Sequence, residues 1–355
     1  MRNINRISRI FTLFSILILI LSFMTGCISD TEGQHDKSFF AMDTVMNFRV
    51  FGDRSAKKAM NKAVDKIKEI EKHMSSTYKD SDIVKINKAA GIEPVKVHDD
   101  TFYVIKKALE YGQLSDGALD ITIRPIVELW GITSDNPKVP SKEEIDERLP
   151  LVDYRKVVLD QDNKTVFLEE KGMGIDLGAI AKGYAADEAV RILREAGVEN
   201  ALLNLGGNVI TIGGNPDGRP WRIGIQDPRS QETGQPHFAI VGVANATVVS
   251  SGDYERYIQE IYEKTGERYH HIFDPKTGYP ADKGLMASTI ISSSSIDADA
   301  LSTILFIMGY EEGFKLIEKL DNVEAIAVTL DKEVYTTEGL KGSLIQSNDH
   351  YRIMD

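Results

Sequence analysis

The chain has a single cysteine, Cys27, in 355 residues. No intrachain disulfide can form, so the fold must hold by its core. A chain of this length buries most of its apolar surface without a covalent staple. Basic residues are also in deficit: 42 Lys and Arg stand against 54 Asp and Glu, a formal net charge of −12. Such a surface repels a polyanion, which excludes nucleic-acid binding. No internal repeat or low-complexity stretch is visible. Gly206-Gly207 and Gly213-Gly214 have the wrong spacing for a dinucleotide-binding fingerprint, and neither a P-loop nor a serine-elbow motif is present. An acidic protein that acts on an anionic substrate needs a local cation to invert its field, so a bound metal is worth seeking.

What is present begins at the N-terminus. Arg2, Arg6 and Arg9 precede an apolar run from Ile10 to Met24, and Thr25-Gly26-Cys27 follow. A basic start, an apolar middle and small residues at the cut make an export signal. The end of the run resembles the lipobox of bacterial lipoproteins, with Met24 where leucine is usual. There the cysteine takes a lipid and becomes the new N-terminus. A plain membrane-anchor helix is the other reading, because the run is near the lower length limit for spanning. Either way the expectation is an extracytoplasmic protein, and the lipobox reading, which we adopt, has it lipid-anchored to the membrane through Cys27. Removing residues 1–26 takes away three arginines and no acids, so the net charge moves from −12 to −15.

Residues 27–37 are polar and read as a tether. The folded unit is expected over 38–340, with a tail over 341–355. Phe39–Phe51 alternates loosely and reads as one strand. Met60, Val64, Ile67 and Met74 recur at helical spacing, which predicts a helix over 55–74. A second helix is expected over about 101–114, and Ser141 to Glu144 has the spacing of a capping box. A hairpin is expected across 157–168, then a helix over 179–196 stopped by Gly197. Short strands follow at 201–205, 209–212, 221–226 and 238–243. Two more, at 267–273 and 285–292, flank the turn Asp274-Pro275-Lys276-Thr277-Gly278. Helices over 295–308 and 311–320 complete the reading. The order is neither a βαβ alternation nor all-β, and an α+β fold with largely antiparallel sheet fits best.

Three segments carry chemistry. On a helix, Asp299 and Thr303 stand four residues apart on one face and offer two hard oxygens to one cation. The same residues also suit a plain helix start, with Ser295 or Asp297 as the cap. In Gly174-Ile175-Asp176-Leu177-Gly178-Ala179-Ile180-Ala181-Lys182-Gly183, small residues bracket an aspartate just before a helix. A ligand can approach that backbone closely, and a helix start favours phosphate. A tight strand-to-helix turn explains the same composition equally well. His270 and His271 adjoin the Asp274–Gly278 turn and alternate in facing. Either suits a base, or a sheet edge. Met42-Asp43-Thr44, Ser75-Ser76-Thr77-Tyr78, Ser115 to Thr122 and Leu129-Trp130-Gly131 are weaker signals.

Taken together and in this order, Met42-Asp43-Thr44, Ser76-Thr77-Tyr78, Gly117 to Thr122, Leu129-Trp130-Gly131, Asp176 to Asp187, His271 to Gly278 and Ala298 to Thr303 resemble the ApbE family, the FAD:protein FMN transferases. The resemblance implies a T-fold-like architecture with FAD, as substrate, in a cleft. It implies Mg²⁺ held by Asp299, the Thr303 hydroxyl and the Ala179 carbonyl. Ser302 stands where some relatives carry a second acid. FAD contacts carry over to Met42, Tyr78, Ala118, Leu119, Asp120, Asp176 and Lys182, and to the Ile272–Phe273 backbone. Asp43 stands where glycine is frequent. The implied reaction moves FMN from FAD to a Thr or Ser hydroxyl of an acceptor protein, an electron-transfer subunit, with His271 ahead of His270 as the base and Asp299 essential. A Mg²⁺-dependent FAD pyrophosphatase, or a flavin-binding lipoprotein without catalysis, are the competing readings.

Overall fold

The computed structural model describes residues 33–354. The export signal and Cys27 lie outside the described residues. Among the described residues, no helix is long and apolar enough to cross a membrane.

A nine-stranded sheet runs through the molecule in the order β1 (Gly33–Ala41), β2 (Thr44–Gly52), β6 (Ala201–Leu205), β7 (Asn208–Ile212), β10 (Thr247–Gly252), β11 (Leu285–Ser292), β12 (Glu324–Thr329), β13 (Glu333–Thr336) and β15 (Arg352–Ile353). The spatial order follows the chain, and each neighbouring pair is antiparallel except β13 with β15. Side chains alternate across this sheet. Val249, Ile290 and Ala325 meet the helices, while Val248, Ile326 and Val328 face the opposite side. That second side is closed by a small sheet of β8 (Trp221–Gln226), β9 (His237–Val243) and β14 (Ile345–Gln346), whose Trp221, Ile223 and Phe238 complete the core. A third sheet joins β3 (Val95–Lys96), β5 (Thr165–Leu168) and β4 (Val157–Asp160). The α+β expectation therefore holds.

The helix Arg54–Met74 starts where Asp53 accepts from the Ser55 and Ala56 amides. Its buried stripe includes Met60, Val64, Ile67 and Ile70. Each such side chain contributes about 1.5–3 kcal/mol on burial. This helix packs on Ala181–Glu195, which packs in turn on Ser295–Met308. The last of these is apolar almost all round because it is enclosed by a helix on one side and by β10 and β11 on the other. Two carboxylates tie the pair. Asp187 accepts from the Ser295 and Ile296 amides at 2.9 Å each, and Asp299 Oδ2 accepts from the Gly183 amide at 2.8 Å.

Four expectations change. The strand over 39–51 is a hairpin: β1 and β2 meet at a two-residue turn, with Met42 at φ 50° and Asp43 at φ 58°. The Gly33–Lys37 part of the tether belongs to β1, because its backbone pairs with Phe48–Gly52. Residues 267–273 form no regular strand; they make only the isolated bridges Tyr257–His270 and Phe273–Pro280, since the chain there is an excursion between β10 and β11. Residues 341–355 are not a loose tail within the described range. β14 extends the small sheet, β15 extends the main one, and the buried Tyr351 donates its hydroxyl to Asp227.

Candidate active site

The site forms where three stretches distant in sequence converge: the loop and first turn around Asp176–Gly183, the helix from Ser295, and the excursion 253–284. Asp299 is the centre. It is 4% exposed, and the only hydrogen bond its carboxylate accepts among the described residues comes from Gly183. Burial pushes its carboxyl up, while the nearby Lys182 ammonium pulls the other way. When ionised, a carboxylate this enclosed, with one hydrogen bond, carries charge that its surroundings leave largely uncompensated. That is the observation by which the residues fit a hard dication.

The hydroxyls beside it divide into two kinds. Ser302 donates to the Asp299 carbonyl at 2.9 Å and lies 2.8 Å from Ser251 Oγ, so it is occupied in bracing the helix against β10. Thr303 is half-buried, with only a long 3.5 Å approach to Ser251 Oγ. Of the two, Thr303 is the one with a hydroxyl to offer.

Lys182, in the first helical turn, makes no hydrogen bond or close ion pair among the described residues. Its charge reaches Asp299, Glu255 and His271 alike. Glu255 and Arg256 come from the excursion and were not singled out from the sequence. Glu255 is an exposed residue near these charges, and its carboxyl is pushed up chiefly by partial desolvation, with Lys182 and Arg256 pulling the other way. Its position is set two residues upstream: Asp253 takes a two-pronged grip from Arg229 at 2.8 and 2.7 Å, with Arg268 at 3.3 Å. Arg268 in turn lies over the Tyr257 and Tyr262 rings.

The two histidines part company. His270 is buried; its Nε2 donates to the Ala281 carbonyl at 3.1 Å, and its Nδ1 accepts from the Ile272 amide at 3.3 Å. Both nitrogens are used, so His270 is a structural residue. His271 is half-buried, and its Nδ1 is 3.2 Å from the Arg256 carbonyl, to which it donates. That tautomer leaves Nε2 as a free acceptor. Burial first, then the Arg256, His270 and Lys182 charges, lower its pKa to about 3, so the ring is neutral at ordinary pH.

The residues expected at FAD divide between side chains near the excursion and others already used inside the fold. Met42 and Tyr78 share Glu71: its Oε1 accepts from the Met42 amide at 2.8 Å, and it also holds the Tyr78 hydroxyl, whose pKa its charge raises. Arg256 donates to the Asp43 carbonyl at 3.3 Å and joins the β1–β2 turn to the excursion. Lys276 bridges to Asp116 at 3.0 Å, and the Trp130 indole donates to the Gly278 carbonyl at 2.9 Å. Ala118 packs in one buried cluster with Ile272, and Leu119 lies in the main core. Asp176 pairs with Arg124 at 3.1 Å and accepts from the Gly178 amide at 2.8 Å. The Asp120 carboxylate is spent inside the fold, on the Thr122 amide and hydroxyl and on the Tyr154 amide. The Ile272 carbonyl accepts from the Ala281 amide at 2.9 Å. Phe273 packs against Trp130 with ring centres 5.7 Å apart.

The ApbE family model matches residues 42–327. A FAD:protein FMN transferase of Klebsiella pneumoniae is 37% identical over 289 residues, 81% of this chain and 88% of that protein. One of Treponema pallidum is 32% identical over 357 residues, 96% of this chain and 95% of that protein. The crystal structure of the ApbE protein of Thermotoga maritima superposes with a TM-score of 0.79 at 35% identity, covering 88% of this chain and 99% of that one.

Proposed function

The chain belongs to the ApbE family, and from that premise we propose that it transfers FMN from FAD to a Thr or Ser hydroxyl of an acceptor protein, with Mg²⁺ at Asp299. The observation that carries this is the buried Asp299 carboxylate, docked on the Gly183 amide beside Lys182. Asp299, the Thr303 hydroxyl and the Ala179 carbonyl would hold the ion. When bound, it supplies positive charge against the diphosphate and the departing AMP.

The chain's own groups do the rest. Met42, Tyr78, Ala118, Leu119, Asp120, Asp176 and the Ile272–Phe273 backbone contact the flavin nucleotide. Lys182 faces the phosphates. The acceptor hydroxyl attacks the phosphorus on the FMN side. A new phosphoester bond forms as the bond to AMP breaks, and AMP leaves with the bonding electrons. The hydroxyl proton passes to His271 Nε2. A neutral imidazole with a depressed pKa is always in the accepting form, at the cost of being a weak base. Transfer then depends on the hydroxyl becoming acidic only as the new bond forms.

The protein is proposed to act outside the cytoplasm, lipid-anchored at Cys27 after loss of residues 1–26. The test of the reaction is mass spectrometry of a Thr-containing acceptor segment after incubation with the protein, FAD and Mg²⁺. A mass increase of one FMN on the acceptor, with AMP released, supports the proposal. Free FMN and AMP with an unmodified acceptor would instead identify a pyrophosphatase. For the anchor, the mature protein should begin at a lipid-modified Cys27, read by mass spectrometry of its N-terminal peptide; an unmodified Cys27 in that peptide would refute lipidation there.

A further inference from the structure

A second cluster of metal-binding side chains lies away from the cleft, where three helix ends meet. His73 is in the last turn of Arg54–Met74, Asp82 opens the helix Asp82–Lys88, and His98 is the residue before Asp99–Leu114. One ligand atom from each lies within 4.8 Å of the others. We propose that His73, Asp82 and His98 form a binding site for a borderline transition-metal dication, Zn²⁺ being the representative.

The geometry has one fixed ligand and two movable ones. Asp82 is 2% exposed, and its Oδ2 accepts from the His98 amide, His98 Nδ1 and Thr101 Oγ1, each at 2.9 Å. Those bonds hold the carboxylate in place, as the supporting shell of a metal site does. The His98 side chain is 54% exposed, and its Nδ1 contact with Asp82 is the one an ion would replace. The His73 ring lies 3.5 Å from the His98 ring, centre to centre, and makes no hydrogen bond among the described residues. Zinc bonds of about 2.0–2.1 Å place tetrahedral ligands roughly 3.4 Å apart. The ligand atoms already lie within 4.8 Å of one another, so coordination asks the two histidine rings to turn and close the remaining distance. A water completes the coordination.

The donor set also decides which ion. Two imidazoles and one carboxylate suit Zn²⁺ and its neighbours, whereas Mg²⁺ prefers oxygen alone. The cluster is therefore chemically distinct from the oxygen-only set at Asp299. The nearest cation is Lys85 Nζ, 3.8 Å from Asp82 Oδ1, on a half-exposed side chain that can swing aside. His73 and Asp82 bracket the loop that carries Tyr78, so an ion here would staple that loop at both ends.

The test is calorimetric titration of the full chain with Zn²⁺ in excess Mg²⁺, followed by Co²⁺ substitution to read the coordination from the visible spectrum. One Zn²⁺ per chain is expected. His73→Ala and His98→Ala should each weaken binding by at least about 100-fold, the upper range seen for losing a mere supporting contact. Both sites are solvent-accessible at the side chain, so both variants should fold. His350→Ala controls for adventitious surface histidines and should change nothing, and Asp299→Ala should keep the zinc. Zinc affinity unchanged in the His73→Ala/His98→Ala double variant, loss of zinc in Asp299→Ala, or no zinc bound by the unaltered chain would each overturn the proposal.

Discussion

Gly183→Ala sets two physical effects of opposite sign against each other. Inside a helix, alanine is favoured over glycine by about 1 kcal/mol. Propensity alone therefore forecasts a more stable protein. The contacts forecast the reverse. A Cβ at residue 183 would lie 2.3 Å from the Ser295 carbonyl oxygen, 2.6 Å from Ile296 Cα and 2.7 Å from the Ser295 carbonyl carbon, all backbone. Ordinary contact begins near 3.4 Å, so the two helices must separate by about 1 Å. Overpacking of this kind costs about 1–3 kcal/mol. The Gly183–Asp299 hydrogen bond is stretched in the same movement, and a bond to a charged group is worth about 1.5–3 kcal/mol. The net expectation is destabilisation by about 2–4 kcal/mol. Transfer should fall by about 100-fold, since misplacing a catalytic group by about 1 Å has that effect. Denaturant midpoints and FMN transfer to an acceptor segment, measured on the same preparation, read both quantities. An alanine variant as stable as the parent and fully active would show that the helix contact does not position Asp299.

Asp299→Asn should keep the Gly183 contact while removing a buried charge. The chain in chelator is then expected to be at least as stable as the parent, because burial disfavours the charged form of the acid that asparagine replaces. Transfer should be lost, and a surviving Mg²⁺-induced rise in Tm would exclude Asp299 as ligand. His271→Gln should abolish transfer with little change in FAD affinity, and unchanged transfer removes His271 from the mechanism. Its depressed pKa also carries a stability sign. Between the usual 6.5 and about 3 the unfolded chain binds the proton and the folded chain does not, so stability from this group rises with pH across that window. The variant should flatten that slope, and an unaltered slope refutes the burial argument. Asp43→Gly relieves a side chain at φ 58° in the β1–β2 turn. It should stabilise by about 1 kcal/mol without loss of transfer, and a lower denaturation midpoint would mean that the Asp43 side chain contributes something the turn strain does not reveal.

The parts of the fold legible in the sequence are those with a local pattern. The Arg54–Met74 helix has its apolar stripe and its Asp53 cap written within one stretch. The β1–β2 hairpin was hidden because Met42-Asp43 lacks the Asn-Gly signal that usually marks such a turn. β10 was missed because Thr247-Val248-Val249 is buried on both faces and shows no alternation. Residues 267–273 carry strand-favouring Tyr269, Ile272 and Phe273, but their neighbours offer no continuous strand to pair with. The same division holds at the site. Asp299 and the Asp176–Gly183 segment stand out by small residues and helical spacing. Glu255 does not, because its place is fixed by Arg229 gripping Asp253, 24 residues away along the chain.

The cleft resolves a conflict that composition alone creates. The chain is acidic overall, yet the proposed substrate is a diphosphate. Around the proposed reaction centre the local count is balanced instead: Asp299 and Glu255 face Lys182 and Arg256, and His271 is neutral. Both acids are held in surroundings that disfavour their charge, and each raises the cost of ionising the other. The buried Asp299 gains more from a dication than it would at the surface, and an ion bound there would reverse the sign of the field met by an incoming phosphate. The burial that makes Asp299 a poor contributor to stability is, on the proposed reading, what makes it an effective metal ligand.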